Sequence, residues 1–164
     1  MSAEPERVVY EESARTLSQQ REVLDGLRSR AGTLLGATSI STAFLSAEVL
    51  RGPAGSRQDL DSLGWSAVAL FCVVVLLSLA ILIPWKWTFG HHPHLLIGVH
   101  LESENPPKYW QPSTLSEIYR NISYWNGVHY NENGRKLQVM FVLFAVACTA
   151  LAAEIVIWLI LLAR

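Results

Sequence analysis

Charge is what this sequence is shortest of. Only 16% of its 164 residues are Asp, Glu, Lys or Arg, against 51% hydrophobic, where an ordinary soluble domain is about a quarter charged. What charge there is nearly cancels, at a formal −1. No basic surface is in prospect, and nucleic acid is excluded as an expected partner. Cysteine is almost missing too. Cys72 and Cys148 are the only two, both inside apolar runs, too few for a disulfide framework or a thiolate metal centre and read as packing residues. Catalytic signatures are absent: there is no GxSxG, Walker A, GxGxxG or HExxH pattern. The expectation is a non-enzyme with no catalytic residue, no metal and no cofactor. Residues 1–30 also lack the apolar core of a secretory signal, so the first membrane segment is expected to act as its own insertion signal.

Long apolar runs are present. Residues 137–163 read LQVMFVLFAVACTALAAEIVIWLILLA, framed by Arg135, Lys136 and Arg164. A helix needs roughly 20 mostly apolar residues to cross the hydrocarbon layer. Residues 64–87 form a second run, with Trp65 at one end and Trp85 and Trp87 at the other, as interfacial anchors would be. Residues 31–50 (AGTLLGATSISTAFLSAEVL) are poorer in apolar side chains and richer in hydroxyls. The fold class expected is an all-α integral membrane protein, a single domain over 1–164. Three transmembrane helices at 31–50, 64–87 and 137–163 carry cytoplasmic helical extensions, and the connector RGPAGSRQDLDSL between the first two is a short external turn.

Lysine and arginine orient it. Ten of the 13 basic residues precede the first run, stand at the end of the second (Lys86) or lie between the second and third; only Arg51, Arg57 and Arg164 fall opposite. The positive-inside rule puts the N-terminus in the cytoplasm and the C-terminus outside. The first cytoplasmic helix is expected over 9–30, with Leu17, Val23 or Leu24, and Leu27 on one side, running into the first span. Residues 88–136 form a loop and an amphipathic helix. There Thr114 and Glu117 have the spacing of a capping box, and Leu115, Ile118, Tyr119, Ile122 and Trp125 fall at helical intervals. Asn131, Asn133 and Gly134 either kink this helix or let it pass straight into the last span.

Four groups of residues are candidates for function. Glu154 and Glu48 are carboxylates within or at the end of spans. An ionisable group there is a functional candidate by default and faces protein rather than lipid, with the hydroxyls of residues 31–50 as partners for Glu154. Gly32 and Gly36 form one small-residue ridge, beside which Thr33, Ala37 and Ser41 repeat every fourth residue. Such ridges let helices approach closely in lipid, which marks them as helix-packing residues facing the bundle or another copy. His91, His92, His94 and His100 crowd one cytoplasmic loop. Without a thiolate to complete a zinc site, they are read as a solvated or ligand-contacting loop rather than a metal centre. Tyr109, Trp110, Tyr119, Tyr124, Trp125 and Tyr130 invite base stacking, although aromatics on an interfacial helix explain them more simply.

The layout resembles a known class. A polar helix leads into LRSRAGTLLGATSISTAFL, a second span ends in a proline followed by TFGHH, and a helix through IYRNISYWNGVHYNENGRKLQ enters the last span. This is similar to the small membrane effectors of bacterial nucleotide-signalling defence systems, the Pycsar transmembrane effectors and SLATT-type proteins. The resemblance implies a homo-oligomer in the bacterial inner membrane. It further implies a cyclic nucleotide ligand and disruption of the membrane, through a pore, in antiphage defence. A structural or accessory subunit of a larger membrane complex is the alternative.

Overall fold

The computed structural model describes residues 4–51, 61–90 and 114–163. Three helices and no strand occur among them: α1, Glu4–Arg51; α2, Ser62–Leu82; and α3, Leu115–Leu162. The expected helix at 9–30 begins earlier, at Glu4, and continues without a break through 31–50. Of the three expected spans, α2 and α3 are long and apolar enough to cross a membrane; α1 is not among the helices that meet this description. Its hydroxyl residues and Glu48 dilute the apolar content of 31–50, which is the physical reason it falls short.

Local chemistry sets the helix ends. Asp61 caps α2, its Oδ1 accepting from the Gly64 N–H at 2.9 Å, which satisfies one otherwise orphaned donor. The helix stops at Leu82, five positions short of the expected 87, because Pro84 forces the residue before it out of helical geometry. Ile83 is extended, at ψ 136°. Trp85 then folds back, its indole N–H donating to the Ala80 carbonyl at 2.9 Å. The capping box at α3 is present: the Thr114 N–H and hydroxyl donate to Glu117 Oε2 at 2.8 and 2.9 Å, and the Glu117 N–H returns to Thr114 Oγ1 at 3.3 Å. Past it, α3 continues without a break through Asn131, Asn133 and Gly134.

The chain divides into two compact units. Unit 1 draws its described residues from Met1–Leu24 and Lys86–Leu137, and unit 2 from Asp25–Trp85 and Gln138–Arg164. Both long helices contribute to each.

In unit 1, α1 and α3 lie parallel. Tyr10 stacks on Tyr119 with centroids 5.3 Å apart, Asn126 Nδ2 donates to Ser13 Oγ at 3.0 Å, and Gln20 Nε2 donates to the Tyr130 carbonyl at 3.0 Å. Later residues of one helix thus meet later residues of the other. The segment leaving α2 is strapped onto α3, with Asn133 Nδ2 donating to the Thr88 carbonyl at 2.8 Å and Lys136 Nζ to the Lys86 carbonyl at 2.7 Å. Lys136 Nζ also lies 5.9 Å from the Trp87 ring, which stacks on Phe89.

The buried positions of each helix recur at seven-residue intervals. Leu17, Leu24, Ala31 and Thr38 do so in α1, Ala67, Val74 and Ile81 in α2, and Asn126, Asn133, Met140, Ala147 and Glu154 in α3. A repeat of seven keeps one seam facing a partner over many turns, the signature of coiled-coil packing.

Candidate functional site

Glu154 is the carboxylate that packing makes most conspicuous. It lies in unit 2 on the α3 seam, one repeat past Ala147, and only 1% of it is exposed. Its Oε1 accepts from the Thr42 hydroxyl of α1 and, at 3.3 Å, from the indole N–H of Trp158 one turn further along α3. Trp158 is itself buried and closes the site. The second oxygen, Oε2, is buried with no hydrogen-bond partner. A buried acceptor left unmade costs about 1–3 kcal/mol, more when charged. The site therefore holds one satisfied oxygen and one open one, able to receive a further donor.

Around Glu154, a mainly apolar interior holds a few polar groups, and large apolar side chains also cover the outside. Thr38, Ser78 and Glu154 are buried in unit 2, while Ile40, Phe44, Trp65, Leu76, Val142, Val156 and Leu159 are exposed. In water such a surface would be a liability, since soluble monomers rarely show large contiguous apolar patches. Thr38 returns its hydroxyl to the Leu34 carbonyl at 2.8 Å, whereas Ser78 Oγ has no partner.

The other candidates separate from it. Glu48 sits on the exposed side of α1. Gly32, Thr33, Gly36 and Ala37 share an exposed face of α1, and a β-carbon added at Gly32 or Gly36 would meet nothing within 4 Å. Their ridge does not pack within the described chain. Ser41 turns towards the half-buried side. Thr33 and Ser39 satisfy their hydroxyls on the Ser29 and Leu35 carbonyls, at 3.1 and 2.9 Å, which leaves the face chemically undemanding. His91, His92, His94 and His100 lie outside the described residues, as do Tyr109 and Trp110. Among the described residues no three His, Cys, Asp or Glu side chains gather as a metal site would require. Tyr119 is engaged with Tyr10. Tyr124 and Trp125 meet edge to face at 5.8 Å, and Trp125 lies against His129.

Sequence reasoning missed the polar seam of unit 1. Gln20, Asn126 and Asn133 are buried there beside Leu17 and Leu24. The signal was the seven-residue spacing of 119, 126 and 133, continued by 140, 147 and 154.

Two electrostatic features of unit 1 follow from its helix starts. Glu117 is held below the usual carboxylate range, first by the Thr114 backbone N–H, then by the Thr114 hydroxyl and by Arg120. Glu6 is lowered likewise by its own backbone N–H, then by the Ser116 hydroxyl and Arg120.

Comparison with known protein families, with characterised proteins and with solved structures finds no match to this chain.

Proposed function

We propose that the protein is an effector of the bacterial inner membrane that oligomerises and permeabilises the bilayer in response to a nucleotide signal, in antiphage defence. The observation that carries the membrane part is the large apolar surface of unit 2, whose helices α2 and α3 are long and apolar enough to cross a bilayer. Lipid reverses the cost of that surface and makes a closed, internally bonded helix the natural spanning element. On this reading α2, the apolar part of α3 and residues 31–50 are three spans. The third is tolerated despite its hydroxyls because Thr38 and Ser39 bond their own helix and Thr42 bonds Glu154. The excess of basic residues on one side favours a cytoplasmic N-terminus and an external C-terminus.

Oligomerisation is supported by the open face of α1. Bulky side chains cover the outer sides of α2 and α3, whereas Gly32, Thr33, Gly36 and Ala37 offer a shallow surface suited to another helix. A second copy fits the effector reading. The same face favours the alternative, an accessory subunit docked in a larger complex. The nucleotide signal rests on the resemblance in layout alone.

Inducible expression with a membrane-potential dye tests this reading. Wild type should depolarise cells and yield a cross-linked ladder in detergent, and Gly36→Leu should lose both. Glu154→Gln keeps the hydrogen-bonding shape and removes the ionisable proton. It should still assemble yet fail to depolarise. Full-level expression of wild type without depolarisation would leave the accessory-subunit reading standing.

A further inference from the structure

Lys136 is a cation that unit 1 positions without neutralising. Its Nζ donates to the Lys86 carbonyl at 2.7 Å and lies 5.9 Å from the centroid of the Trp87 ring. A lysine ammonium carries three donors, so the carbonyl leaves two unused. Carbonyl and ring attract the ammonium, yet neither bears a net charge. Trp87 is braced in turn by Phe89, with centroids 5.8 Å apart and ring planes 6° from parallel, and the next carbonyl, that of Thr88, is held by Asn133 Nδ2.

The neighbours add charge of the same sign. Lys86 and Arg135 are exposed, and Lys136 is half-buried. The bond to its carbonyl brings the Lys86 side chain within reach of an anion at Lys136. None of these three cations forms an ion pair with a described carboxylate, whereas Arg7 of the same unit pairs with both Glu4 and Glu11. Glu132, one turn before Lys136, is exposed and makes no such pair. Like charges held this close repel unless an anion stands between them.

Position selects the anion. α2 ends at Leu82, four residues before Lys86, and the apolar run of α3 begins at Leu137, the residue after Lys136. Both helices are long and apolar enough to cross a membrane. If they do, the reading on which this inference rests, Lys86 and Lys136 stand at the level of the headgroups, where tryptophan rings also settle. The anion at that level is a lipid phosphate, and juxtamembrane lysines favour anionic lipid. In phosphatidylcholine the headgroup's own cation competes with the lysines. We propose that Lys86, Lys136 and the Trp87 ring form a binding site for the headgroup phosphate of an anionic phospholipid.

The test reconstitutes the full chain in phosphatidylcholine vesicles and adds phosphatidylglycerol brominated near its headgroup. Quenching of Trp87 is read as the difference between wild type and Trp87→Phe, which keeps an aromatic ring. Half-quenching should need about twentyfold less brominated phosphatidylglycerol than brominated phosphatidylcholine, and Lys136→Gln or Lys86→Gln should each remove about fivefold of that preference. Lys136→Arg should retain it. So should Arg7→Gln, whose charge is already paired. If Lys136→Gln does not fold, Lys86→Gln, which alters only an exposed side chain, decides the matter. Equal quenching by the two lipids in wild type would overturn the proposal, as would full preference in both glutamine variants. Displacement by glycerol 3-phosphate would overturn the lipid as the source of the phosphate. A chain that does not enter phosphatidylcholine vesicles overturns the membrane reading as well, whereas entry without preference overturns this site alone.

Discussion

Units 1 and 2 are built from the same two long helices with the same spacing of buried positions, yet their seams differ in kind. Among the described residues, the seam of unit 1 buries Gln20, Asn126 and Asn133 with Leu17 and Leu24, while that of unit 2 is mainly Ala, Val, Ile, Met and Trp around one carboxylate. The outer surfaces differ in the opposite sense. Exposed ion pairs such as Arg7–Glu4 and Arg7–Glu11 decorate unit 1, and unit 2 shows Ile40, Phe44 and Leu76. The repeat of seven sets which positions face inward, and the surrounding solvent sets what may stand outside. Buried amides in a coiled-coil seam fix register at a cost in stability. The Asn126–Ser13 and Gln20–Tyr130 bonds, 113 and 110 residues apart, give unit 1 that role. Unit 2 relies on packing.

The largest expected effect comes from the packed unit. Trp158→Ala removes a buried indole and one donor to Glu154, and should cost about 3–5 kcal/mol. Unfolding in mixed detergent micelles reads it, and a loss under about 1 kcal/mol would show that Trp158 does not hold the seam. Next is Asn126→Leu in the polar unit. Ser13 keeps its bond to the Tyr10 carbonyl at 2.8 Å without Asn126, so no hydroxyl is stranded. The substitution should stabilise unit 1 by about 1 kcal/mol and slow amide exchange over residues 10–24 about fivefold. Faster exchange would mean that the amide contributes net stability, and the contrast between the seams would weaken. Smallest is the response to acid. Glu6 and Glu117 have lowered folded-state pKa values, so their stabilisation is present above the unfolded carboxylate value, about 4.3, and is lost as pH falls through the folded values. Amide exchange at the starts of α1 and α3 should rise as pH falls below about 4, with the middle of α2 unchanged after correction for intrinsic rates. Equal changes in both places would remove the electrostatic distinction between the units.

How much of this is readable in the sequence depends on range. The capping box of Thr114 and Glu117 is local chemistry within four residues, and its type and spacing reveal it. The burial of Glu154 against a hydroxyl of α1 follows from the cost of a carboxylate among apolar residues. What escapes is what only the partner helix decides. Leu115 and Trp125 look like members of an apolar stripe but are 56% and 47% exposed, because the seam passes through Tyr119 and Asn126 instead. Leu24 rather than Val23 faces inward for the same reason. Asparagines read as solvated or kink-forming when helical periodicity is sought in apolar residues alone. The ridge of Gly32 and Gly36 is recognisable by spacing, but nothing in the spacing says that the chain leaves it open. The 31–50 segment passes as a span by length and small-residue pattern, while its hydroxyls keep it from standing out as α2 and α3 do.

The strap that follows α2 carries a consequence for biogenesis. Lys86 and Thr88 present carbonyls whose donors, Lys136 and Asn133, come 50 and 45 residues later. At a synthesis rate of about 5–20 residues per second, the ribosome needs seconds to deliver those donors. Throughout that interval the chain beyond Pro84 must be hydrated or held by other factors. The Thr42 hydroxyl waits longer still, since Glu154 follows it by 112 residues. The first two helices therefore complete their own hydrogen bonding before α3 exists, while every tie described between α1 and α3 waits for α3 to be made. Nascent chains stalled before residue 133 should carry an unlatched exit from α2, and the locking of both units falls to α3.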